Sequence, residues 1–167
     1  YRLPELLAAD PQKTVLSAEG EKDVDRAISE GLVATTNSRG AKAFQPYHVG
    51  PLAGRKVLIV ADNDAAGLDG AISKAELLKP HVVSVKLIEV LPGLQDVDGG
   101  DLSDWFDAGH TVAELHELAE TLPEWQKMEP PSEFKLMNFD EFLDKPDGEL
   151  DWLVDGWMAV GGTSTVV

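Results

Sequence analysis

Residues 56–62 read KVLIVAD, and the chain continues as NDAAG to Gly67. Val57, Leu58, Ile59, Val60 and Ala61 are apolar without interruption. A strand with one face in water shows a polar residue at every second position, so this one must be covered on both faces. Parallel sheets provide that cover, because their crossover segments lie across both faces. The run ends in two aspartates with Asn63 between them. Carboxylates at the mouth of a buried strand repel one another unless a proton or a cation is shared.

The flanking segments fit the same architecture. TVLSAEG (14–20) reads as a short strand ending at Glu19 and Gly20. EKDVDRAISEG (21–31) is helical, with acids in its first turn, Val24, Ala27 and Ile28 at helical spacing, and Gly31 as a stop. LVATTNS (32–38) is a second strand, followed by a loop rich in glycine, proline and polar residues. A helix is expected over about residues 66–79, SVKLIEV (84–90) reads as a strand, and TVAELHELAETL (111–122) as an amphipathic helix capped by Thr111. This order implies an α/β fold with a central, mainly parallel sheet flanked by helices. Residues 1–13 read as a polar lead-in, 14–122 as the domain, and 123–150 as a linker with a short helix in NFDEFLDK. Residues 151–167 look like the start of something else.

The 167 residues can bury a sizeable core, and the opening at Tyr1 reads as a fragment or a processed product. No cysteine is present, which excludes disulfides and thiolate zinc sites. No stretch reads as a signal peptide or spans a bilayer, so no membrane partner and a cytoplasmic location are expected. The net charge of −16 is the wrong sign for gripping a phosphate backbone unaided. A nucleic-acid partner would need metal ions or basic segments elsewhere.

Ligands bind at the carboxyl ends of parallel strands. If the strands ending at Glu19 and Asp62 are neighbours, Glu19, Asp62 and Asp64 converge on one rim. Hard oxygen donors on an open rim suit Mg²⁺ or Mn²⁺, and the matching chemistry is phosphoryl or nucleotidyl transfer. Each acid also has an ordinary reading: Asp64 could cap the following helix, and Glu19 could support the helix beginning near Glu21. The combination E-G-x-x-D and D-x-D-x-x-G favours function over coincidence.

These residues, EGEKD (19–23) and DNDAAG (62–67) around a hydrophobic strand, resemble the TOPRIM domain of primases, topoisomerases and several nucleases. The resemblance covers roughly residues 14–120 and is greatest to primase-helicases of phages, plasmids and other mobile elements, where stretches like LVATTNSRGAK and GDLSDWFDAGHT recur. It implies a Rossmann-like fold, Glu19 as general acid or base, and Asp62 and Asp64 as Mg²⁺ ligands. Gly20 and Gly67 would let backbone pass close to the site, and Asp23 would orient the loop after Glu19 or favour the positive end of its helix. Gly40 and Lys42 are candidate phosphate contacts, in a loop less glycine-rich than the family's. Asp101 and Asp104 have two readings, a further acidic cluster near the metal or caps for a helix around Trp105. Trp105 and Phe106 read as core, and the four histidines as surface or loop residues.

The tail, LVDGWMAVGGTSTVV, resembles the strand before a Walker A loop in RecA-like helicase ATPases, although the loop itself is not in the sequence. The resulting expectation is a TOPRIM primase core acting on single-stranded DNA and nucleotides, joined to a helicase ATPase domain in a longer chain. A metal-dependent nuclease and a non-catalytic metal-binding module are the alternatives.

Overall fold

The computed structural model describes residues 1–37 and 43–127, together with the backbone of residues 152–154 and 158–159. Two compact units are present, Tyr1–Lys127 and Met128–Val167. The first contains a four-stranded sheet of β1 (Val15–Ser17), β2 (Val33–Thr35), β3 (Lys56–Val60) and β4 (Ser84–Ile88). All its pairings are parallel and the strand order is β2-β1-β3-β4. This is the expected α/β, Rossmann-like architecture, with helices on both faces. They are α1 (Leu3–Ala8), α2 (Glu21–Ser29), α3 (Ala65–Leu78), α4 (Leu102–Asp107) and α5 (Val112–Thr121).

The unbroken apolar run of β3 divides between two cores, as a doubly covered strand requires. Leu58 and Val60 join Leu16, Val24, Ala27, Trp105 and Leu115 on one face. Val57 and Ile59 join Val15, Phe44, Leu52, Ala75 and Leu78 on the other. Ile59 and Leu78 are almost wholly buried, and each such side chain contributes about 1.5–3 kcal/mol through burial.

Residues 1–13 are more than a lead-in. They carry α1, with a proline in its first turn and Leu6 inserted into the second core. Six residues with one buried side chain give no periodicity to read. The Arg55 guanidinium closes this helix, donating to Leu6 O at 2.9 Å and Ala9 O at 3.2 Å. The first unit also continues past residue 122. Trp125 N donates to Val85 O at 2.7 Å, its side chain packs against the second core, and Lys79 pairs with Glu124 at 2.8 Å.

In the second unit, β5 (Trp152–Val154) pairs antiparallel with β6 (Met158–Ala159). The expected short helix at 138–145 and the remainder of the tail lie outside the described residues, as do Gly40 and Lys42.

Candidate functional site

The strand order reverses between β1 and β3: from β1 the sheet grows outward to β2, and from β3 to β4. Such a reversal opens a crevice at the carboxyl ends of the two central strands. Ser17 is opposite Ile59 in the β1–β3 register, so Glu19, two residues on, and Asp62, three residues on, leave adjacent strands at the same end. The sheet therefore brings these two acids together as expected.

Asp62 is half-buried, and its carboxyl is pushed up from 3.8 to about 7. Burial is the main cause, followed by the negative charges of Glu19, Asp23, Asp101 and Asp64. These five acids, drawn from three segments of the chain, thus share one electrostatic environment. Among the described residues, no group of three or more His, Asp or Glu side chains closes into a metal cage. The donors fit a hard cation held by one or two carboxylates that completes its shell with water and substrate oxygens.

Local structure explains the rest of DNDAAG. Asp64 is the N-cap of α3, accepting from Gly67 N at 2.6 Å through Oδ1. A Cβ on Gly67 would lie 2.7 Å from Asp62 O, so only glycine lets α3 begin this close to the rim. Asn63 fastens the loop before α4. Its side-chain amide donates to Leu94 O at 2.7 Å and Val97 O at 2.8 Å, and its backbone exchanges bonds with Gly99 and Gly100.

Asp101 and Asp104 form a reciprocal capping box at the start of α4. Both also lie close to Lys22, at 3.0 Å and 3.9 Å respectively. For Asp101, capping and a place among the acids that act on Asp62 therefore coexist, whereas Asp104 serves the cap. Asp23 is almost fully buried and accepts from Ser103 N at 3.0 Å and Ser103 Oγ at 2.7 Å. This ties α2 to α4. A Cβ on Gly20 would sit 2.9 Å from Asp23 Oδ2. Trp105 and Phe106 are core, with Trp105 Nε1 donating to Pro92 O at 3.1 Å.

Lys74 is the residue that sequence reading missed. It projects from α3 beneath the rim, 3% exposed, and Nζ donates to Ser17 Oγ at 3.0 Å and Ala18 O at 3.4 Å. Burial pushes the ammonium down to about 8, opposed by the charges of Glu19 and Asp62. Its signal was a lysine at helical spacing from buried Gly67, Gly70, Ala71 and Leu78. Arg55 and Lys56 stand at the opposite, amino end of β3 and contribute nothing to the rim.

No family model and no curated protein matches the chain. Among solved structures it is similar to the DnaG catalytic core, at 24% identity and a TM-score of 0.58, over 74% of this chain and 39% of that one. It is also similar to a chain in the bacteriophage T7 lagging-strand DNA polymerase structure, in which the polymerase interacts with primase domains of two gp4 subunits bound to an RNA/DNA hybrid and dTTP. The values there are 19% identity and a TM-score of 0.55, over 71% of this chain and 59% of that one. The chain spans less than two thirds of either structure, and the likeness is one of fold.

Proposed function

We propose that this chain is the TOPRIM core of a DNA primase, transferring nucleotidyl groups with a divalent metal on a single-stranded template. The observation that carries this reading is the meeting of Glu19 and Asp62 at the strand-order reversal, where burial and then the neighbouring acids push the Asp62 carboxyl up. Asp62 and Asp64 would hold Mg²⁺ or Mn²⁺, which supplies charge neutralisation for the attacking and leaving oxygens when bound. Glu19 would move the proton of the attacking hydroxyl. Asp23, through Ser103, fixes the start of α4 and so the position of Asp101. Lys74 balances part of the rim's charge from below. The primase-like fold of both solved structures supports the reading.

A nuclease is the second reading, because a carboxylate rim holding a divalent cation serves cleavage as well as synthesis. The net charge of −16 weighs equally against both without basic segments elsewhere. The distinguishing experiment follows single-stranded DNA with ribonucleotides and Mn²⁺ or Mg²⁺ in the full-length protein and its Asp62→Asn variant. Primer synthesis lost in the variant supports the primase, and metal-dependent shortening of the DNA supports the nuclease. Activity unchanged in the variant overturns both. The helicase ATPase domain beyond residue 151 and the mobile-element setting belong to the same proposal.

A further inference from the structure

Next to the acid rim lies a cavity of about 220 Å³. Ser17, Thr35 and Thr36 line it from the ends of β1 and β2, and Phe44, Tyr47 and His48 line it from the crossover to β3. Three contacts join it to the rim. Thr36 Oγ1 donates to Glu19 O at 2.7 Å, Lys74 Nζ donates to Ser17 Oγ at 3.0 Å, and the same ammonium stands 5.8 Å from the centre of the Phe44 ring. Lys74 thus stands between the cavity and the carboxylates whose charge it feels.

We propose that this cavity seats the nucleobase of a nucleotide whose phosphates would reach the acid rim through the divalent cation proposed for it; the choice of ligand rests on the nucleotidyl-transfer reading above. The volume is below the roughly 300–1,000 Å³ of pockets that enclose drug-sized ligands, so it suits one ring system and not a whole nucleotide. Its aromatic side is held in place by its own packing: His48 lies 5.3 Å from Phe44 and 4.2 Å from Tyr47, ring centre to ring centre. Tyr47 nevertheless remains 75% exposed, an aromatic surface left open to a partner. Stacking on such surfaces is available to every base. The hydroxyl hydrogens of Thr35 and Thr36 are committed to Tyr1 O and Glu19 O, so both oxygens present lone pairs to the amino or ring N–H groups of a base.

The test is a titration of the full chain with adenosine, a probe without phosphate, in the absence of metal and followed by NMR. Shifts centred on residues 35–37 and 44–48, with affinity about tenfold weaker in Tyr47→Ala, support the pocket. Tyr47 is exposed enough for this variant to fold. No shifts up to the solubility limit, or binding that Tyr47→Ala leaves unchanged, overturn it. Adenosine binding retained in Asp62→Asn keeps the two readings separate. If Mg²⁺ leaves the parent unchanged while adenosine binds, the metal reading fails and the base pocket stands.

Discussion

Asp23 and Ser103, 80 positions apart, are joined by two hydrogen bonds to one carboxylate oxygen, at 3.0 Å and 2.7 Å, inside the protein. The fifth residue of EGEKD therefore grips the start of the helix that carries Asp101. Replacing Asp23 by Ala strands both donors. A loss of about 1.5–3 kcal/mol is expected, the range for hydrogen bonds to a charged acceptor. Ser103→Ala removes only the hydroxyl and should cost less. Urea unfolding of the two variants and their double mutant measures the coupling, and additive losses would mean that the pair does not act as a unit.

Gly67→Ala sets two effects against each other. Helix propensity favours alanine by about 1 kcal/mol. The new Cβ, however, would stand 2.7 Å from the Asp62 carbonyl oxygen, and forcing atoms into packed space costs about 1–3 kcal/mol. The clash is against backbone, so it should win. The variant should be less stable and bind Mn²⁺ more weakly, whereas Gly50→Ala, with nothing within 4 Å, should do neither.

The Asp62 carboxyl, raised to about 7, sets a pH dependence. Between about pH 4 and 7 the folded chain holds a proton that the unfolded chain has lost, so this group makes stability fall as pH rises. Asp62→Asn should therefore unfold at a higher temperature than the parent at pH 8, and the difference should vanish near pH 4. Adding Mg²⁺ at pH 8 should raise the parent's melting temperature and leave that of the variant unchanged. A parent whose melting temperature ignores Mg²⁺ would count against the cation.

Lys74 works in the opposite direction at alkaline pH. With its folded value lowered to about 8 from 10.5, the unfolded state binds the extra proton across that interval, so stability from this group rises with pH. Lys74→Met should lack the rise. The difference between parent and variant in urea midpoint, followed from pH 7 to 10, isolates it from the other lysines.

Much of this fold was legible from a few segments. The unbroken apolar run before Asp62 required a covered parallel strand, and Gly31, with φ of +85°, ends α2 as its position suggested. Thr111 caps α5 through the N–H of Glu114 as the sequence indicated. Helix α1 was illegible because Leu6 is the only side chain that it buries. Lys74 was passed over because a lysine within an apolar stripe is normally assigned to the solvent side, and only the third dimension shows the strand hydroxyl it meets. Asn63 sat in plain view between two acids, but its partners come from a loop some 30 residues later, which spacing along the chain cannot reveal.

The reversal of strand order has a consequence for dissection of the molecule. Glu19 belongs to the β1–β2 half of the sheet and Asp62 to the β3–β4 half, joined only along the β1–β3 pairing. A peptide covering either half would carry one acid of the pair in ordinary surroundings, without the crowding that perturbs Asp62. The chemistry is thus a property of the seam: it arises when two pieces of sheet, each unremarkable alone, are closed against each other.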